Sequence, residues 1–277
     1  MTQSGSAGFK SAADLPEAAR QQLGELLLSL ADNKRLLGIR YSDWILGAPT
    51  VEAGIACSAM AQDEWGHARI MYSLLKDFGY DPDALEHERS TDEYHSSELL
   101  DRDVSSWPEL LALNFLWDTA LSVQVEMLVD SRFEPIHYKV RKLLDEERFH
   151  FDHGHGWSVR MLAAEGGRSA LREAYAAAWN ACLCGFGTED DTVTATLADE
   201  GIVSGGPDQA RARWLERVGD VAGKLEPDGA GAATRISLTE ADWTNWSRER
   251  RRTAEGGPDE DTLARVRGDR NRALLAD

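Results

Sequence analysis

Two Glu-x-x-His pairs, Glu64 with His67 and Glu147 with His150, stand in separate stretches of this 277-residue chain. Three residues is nearly one helical turn, so in a helix each Glu shares a face with its His. A carboxylate beside an imidazole is a ligand pair suited to iron or manganese. Two such pairs from two helices, completed by one carboxylate from each of two more, make the ligand set of a dinuclear four-helix bundle. In that set Glu64 and Glu147 bridge the ions at the reacting centre, and His67 and His150 each bind one ion. Asp118 interrupts an apolar stripe 29 residues before Glu147 and is the expected third-helix ligand. A charge on a buried stripe is costly unless it is paired or metal-bound. Taken singly, each pair is an ordinary helix-surface Glu and His; both on inner stripes, with Asp118, point to a metal site.

The fourth carboxylate is expected about thirty residues before Glu64, and it is missing. The inward positions there are Leu30, Asn33, Lys34, Leu37 and Tyr41, while Asp32 and Asp43 fall off the stripe. An ammonium is repelled by two divalent ions unless burial and charge lower its pKa. Alternatively, Lys34 stands in for a metal and neutralises Glu64, Asp118 and Glu147. The expected cofactor is therefore iron: two ions if the site is complete, one or none if Lys34 displaces a ligand. His153 and His155 face away from His150 and read as surface or supporting groups. Trp44, Trp65, Trp117 and Trp157 read as packing.

Long helices must position these groups. Leucines and Tyr41 at three- and four-residue spacing predict a first helix from Pro16 to about Leu46. Gly47-Ala48-Pro49 breaks it, and a second helix runs from Thr50 to Phe78. A polar stretch, Asp81 to Ser106, reads as a connection. Further helices are predicted from Trp107 to Ser131, Pro135 to Glu165, Ser169 to Cys184 and Gln209 to Lys224. The class is all-α: a ferritin-like four-helix bundle with additional C-terminal helices. Residues 1–235 form the helical domain and 236–277 a charged tail.

The net charge of −18 argues against nucleic acid or an anionic membrane surface as partner. The three cysteines, Cys57, Cys182 and Cys184, read as buried free thiols rather than a disulfide framework. No signal peptide or membrane-length apolar run is visible, so a cytoplasmic location is expected. No flavin or nicotinamide fingerprint is visible either.

With these residues in hand, the chain resembles the ferritin-like subunits of bacterial phenylacetyl-CoA epoxidase, over roughly Asp32 to Lys224. The run from Asp32-Asn33-Lys34-Arg35 through Ser42-Asp43-Trp44, and Phe115-Leu116-Trp117-Asp118, is similar to the structural subunit. Gln62-Asp63-Glu64-Trp65-Gly66-His67 and Glu146-Glu147-Arg148-Phe149-His150 are similar to the catalytic one. The resemblance implies a component of a ring-1,2-epoxidising oxygenase of aerobic phenylacetate degradation, a di-iron-type monooxygenase subunit whose carboxylate- and histidine-bound iron centre inserts oxygen into an aromatic acyl-CoA. It places Glu64, His67, Asp118, Glu147 and His150 on metal-ligand positions, and Lys34 or Arg35 where a glutamate belongs. It implies an aromatic acyl-CoA substrate, a separate reductase, an oligomeric assembly and a paralogous ferritin-like subunit. It also leaves two alternatives: a metal protein with another substrate, or a non-catalytic structural subunit.

Overall fold

The computed structural model describes residues 8–225 and 240–269. The regular structure of these residues is helical, with no strand among them. The first helix, α1 (Glu17–Asp43), buries Leu23, Leu27, Leu30, Leu37 and Tyr41 along the expected stripe. It stops three residues before the predicted end, and Trp44 to Pro49 turn the chain. Thr50 then caps α2 (Val51–Leu75) by accepting the Ala53 N–H at 3.2 Å. Gly38 lets the two helices close: a β-carbon there would lie 2.4 Å from Trp65 Nε1.

The stretch from Asp81 to Ser106 is more than a connection. It holds a short helix, α3 (Pro82–His87), and buries Arg89, Tyr94 and Leu100. Its polar composition hides these anchors, because Arg89 is buried against a partner distant in sequence. After it, Ser106 caps a continuous rod made of α4 (Trp107–Leu111), a π-helical segment (Ala112–Asp118) and α5 (Thr119–Glu126). The return helix, α6 (His137–Ala163), carries Val140, Leu143, Glu147, His150 and Gly154 inward. At Gly154 a β-carbon would come within 2.6 Å of Asn114 Oδ1, so glycine allows α6 to press on the π segment.

These rods, α1 with α2 and α4–α5 with α6, form the bundle. Its outer layer is α7 (Gly167–Cys184), α8 (Thr192–Asp199) and α9 (Pro207–Leu225). The α8 helix was not legible as a separate element in the sequence. Toward the C-terminus, α10 (Glu260–Arg267) lies on α1. Arg35 Nη2 donates to the Val266 carbonyl at 3.0 Å, Arg40 bonds Thr262, and Arg265 pairs with Asp43 and Asp103. The proposed domain boundary at residue 235 lies outside the described residues. No helix among those described is long and apolar enough to cross a membrane.

Candidate metal centre and its lysine

Four helices deliver one charged group each to the bundle centre. Lys34 comes from α1, Glu64 from α2, Asp118 from the end of the π segment and Glu147 from α6. All four are at most 3% exposed. The Lys34 ammonium takes the middle: Nζ lies 2.5 Å from Asp118 Oδ1, 2.6 Å from Glu147 Oε1 and 3.0 Å from Glu64 Oε1. An ammonium has three N–H donors and no acceptor, and here each donor has its own carboxylate.

The two histidines flank this core. His150 Nδ1 is 3.0 Å from Asp118 Oδ2 and 3.2 Å from Glu64 Oε1, and Nε2 is 3.4 Å from Asp63. His67 Nε2 is 2.9 Å from Glu146 Oε2. His67 Nδ1 is 3.0 Å from Glu147 Oε1 yet has no aligned hydrogen bond, so that contact is electrostatic. All five sequence-predicted ligand residues thus converge with Lys34. His153 is half-buried and touches Asn114 at 3.2 Å, and His155 is on the surface with Asp220.

Further groups were not singled out from the sequence. The Tyr41 hydroxyl donates to Asp118 Oδ2 at 2.8 Å and accepts from Asn114 Nδ2 at 3.0 Å. Ser122 Oγ donates to Glu147 Oε2 at 2.6 Å. Asn114 and Ser122 flank Asp118 at four residues on either side, a spacing that could have flagged both. The π turn could not be read that way. Such turns recur at functional sites, where one wide turn re-aims a side chain.

Electrostatics follow from burial and mutual pairing. Burial alone would depress the Lys34 ammonium, but Asp118, Glu147 and Glu64 outweigh it and hold it well above 10.5. Burial would raise Glu147, but Lys34, His150 and His67 hold it well below 4.5. Burial, followed by the Asp118 charge, pushes the Glu64 carboxyl up to about 7 against the pull of Lys34. Burial opposes charge on both imidazoles, yet Glu147 foremost raises His67, and raises His150 well above 6.5. The cluster sets three basic groups, Lys34, His67 and His150, against the three carboxylates Glu64, Asp118 and Glu147, with the Glu64 carboxyl pushed up toward proton binding.

Glu64, Asp118, Glu147 and His150 present ligand atoms within 4.8 Å of one another, a donor set that could hold a cation. Two ions do not fit the arrangement as it stands. The first helix supplies no carboxylate, and the Lys34 ammonium lies at hydrogen-bond distance from all three carboxylates that would bridge or cap them. Two buried atoms of the cluster are left without a hydrogen bond, Glu64 Oε2 and His67 Nδ1.

Two comparisons bear on this site. The sequence model of the phenylacetic acid catabolic protein family matches residues 1–229. Among characterised proteins, one of the subunits of the 1,2-phenylacetyl-CoA epoxidase of Escherichia coli (strain K12) is 25% identical over 180 residues. That match covers 64% of this chain and 58% of the relative, less than two thirds of the relative's own length.

Proposed function

This chain belongs to the phenylacetic acid catabolic protein family, and from that premise we propose that it is a partner subunit of an epoxidase-type oxygenase complex acting on an aromatic acyl-CoA. The carrying observation is Lys34. A single ammonium bridges one oxygen each of Glu64, Asp118 and Glu147 in a buried core, which is the work that cations do in a dinuclear bundle. In this reading the chain supplies shape and docking surface to an iron-bearing paralogue. Electrons reach the paralogue from a separate reductase. The cluster ties together the four rods that set the outline of the bundle.

A second reading has its own support. His67, His150 and the orphaned Glu64 Oε2 are ligand-type groups that a purely structural core does not need. The similar E. coli protein is itself named as an epoxidase component. Under that reading Glu64, Asp118, Glu147 and His150 would hold an iron ion, which would supply the oxygen chemistry.

Reconstitution separates the two. The complex is assembled from this chain, the paralogue and the reductase, and aromatic acyl-CoA turnover is measured with Glu64→Gln or Glu147→Gln in this chain. The partner-subunit reading predicts turnover within about twofold of wild type once assembly is verified. A loss on the order of a hundredfold or more, the scale of removing a catalytic group, would place the chemistry in this chain.

A further inference from the structure

The solvent side of α6 carries a stripe that nothing in the described chain covers. Phe149 and Val159 are 66% and 41% exposed, and Asp152, Gly156, Arg160 and Ala163 are exposed with them. On the neighbouring α2, Ile55 is 65% exposed, and Ala59 is exposed one turn later. A cavity of about 390 Å³ opens between the two helices beside Gly156, with Glu52, Asp152, His153, Trp157 and Arg160 on its lining. Adjoining apolar side chains left on a surface mark a place of association.

Gly156 is the odd residue of the stripe. Glycine in a helix interior is less stable than alanine, and a β-carbon at Gly156 would meet nothing within 4 Å. No contact within the chain therefore calls for glycine. A second helix crossing there would call for it, because the side chains at a crossing set how closely two helix axes approach. The charges on either side have a matching order. Asp152 lies four residues before Gly156 and Arg160 four after, about one turn each way. Neither is in an ion pair among the described residues; the Arg160 guanidinium lies over Trp157, 5.0 Å from the ring centroid.

We propose that this face joins two copies of the chain about a twofold axis at Gly156, with their α6 helices antiparallel. Under that axis Asp152 of each copy meets Arg160 of the other, and both pairs form together, as a self-complementary interface requires. The antiparallel register of α2 on α6, seen in His67 beside Glu146 and Asp63 beside His150, sets Cys57 level with Gly156. The same axis therefore sets the large Ile55 of one copy against the small Ala59 of the other, and Phe149 against Ala163. Glu52 comes level with the other copy's Gln62, an amide that can donate to it. A partner of one charge sign leaves Asp152 or Arg160 unanswered; a second copy answers both. The net charge of −18 opposes association at long range, and physiological salt screens it beyond about 8 Å. The dimer rests on neither the metal centre nor the epoxidase reading.

Sedimentation equilibrium of the full chain at physiological salt, over a wide range of protein concentration, tests this. The wild-type chain should show a reversible monomer–dimer equilibrium. Asp152→Arg and Arg160→Asp should each weaken it at least about tenfold, because the symmetric interface loses the pair twice. Mixed in equal amounts, the two variants should associate about as tightly as wild type, since one copy of each restores both contacts. Gly156→Leu should weaken the dimer about tenfold or more by holding the helices apart, and leave the folded monomer intact by circular dichroism. A wild-type chain that stays monomeric, a dimer that any one of these variants leaves unchanged, or charge variants that do not associate on mixing would each overturn the proposal. A monomer that binds a different protein through this face counts against it equally. Should either charge variant fail to fold, Gly156→Leu decides.

Discussion

Asp32 and Lys34 stand two residues apart on α1, both fully buried, and each anchors an ionic cluster. The Asp32 cluster is closed. Arg89 meets both carboxylate oxygens, Nη2 to Oδ1 at 2.5 Å and Nη1 to Oδ2 at 2.8 Å. Tyr72 and the His95 N–H add bonds of 2.6 and 2.8 Å, and the guanidinium lies over the Tyr94 ring. One positive charge answers one negative charge. The Lys34 cluster is different in kind. One ammonium faces three carboxylates, two imidazoles must share the balance, Glu64 Oε2 is left over, and a cavity leads in from solvent. A balanced pair without access does structural work. An accessible cluster with a carboxylate oxygen left unpartnered keeps the capacity to hold a cation.

Substitution should expose that difference, most strongly at the anchors. Asp32→Ala leaves Arg89 buried without its partner and should cost about 3–5 kcal/mol in urea unfolding. No added cation should restore it. Lys34→Met leaves three buried carboxylates and should cost a similar amount. Here ferrous or manganous ion should return stability, about 2.7 kcal/mol at a hundredfold excess over the dissociation constant. Rescue of Asp32→Ala, or failure to rescue Lys34→Met, would erase the distinction.

Acidity sharpens the comparison at an intermediate scale. The folded-state value of Glu64, about 7, lies above its ordinary 4.5, so the folded form binds its proton more tightly. The stability Glu64 contributes is therefore complete below about pH 4.5 and is lost as the pH rises through about 7. Glu147 runs the other way: held below 4.5, it contributes above that value and is lost on acidification. Glu64→Gln should therefore gain on wild type across the window from about 4.5 to about 7, by a few kcal/mol at most. Parallel unfolding curves for the two proteins across that window would contradict the assignment. The smallest effect is expected at Ser122→Ala, which removes one of several bonds to Glu147. It should cost about 1 kcal/mol by the same unfolding assay; a loss several times larger would mean that Glu147 depends on Ser122 more than on Lys34.

The site was more legible in the sequence than its surroundings were. Helical spacing places Glu64, His67, Asp118, Glu147 and His150 on inward stripes, and the bundle brings them together with Lys34. Periodicity works there because each residue sits on a long amphipathic helix. It fails for Asp32, which falls off the site stripe and yet is buried, because α1 is covered on more than one side. Arg89, Tyr94 and α10 bury that further face from distant parts of the chain, which spacing cannot reveal. The π turn before Asp118 depends on packing against Gly154 and α7, and no residue in the segment announces it.

Iron stoichiometry is the most direct test of the claim that Lys34 stands where a metal would. The wild-type chain and Lys34→Glu are reconstituted anaerobically with ferrous iron, freed of loosely bound ion and analysed for metal. The account predicts well under one iron per chain for wild type, and about two for Lys34→Glu, whose new carboxylate completes the dinuclear set. About two irons in the wild-type chain would contradict it, showing that the lysine yields its place to metal.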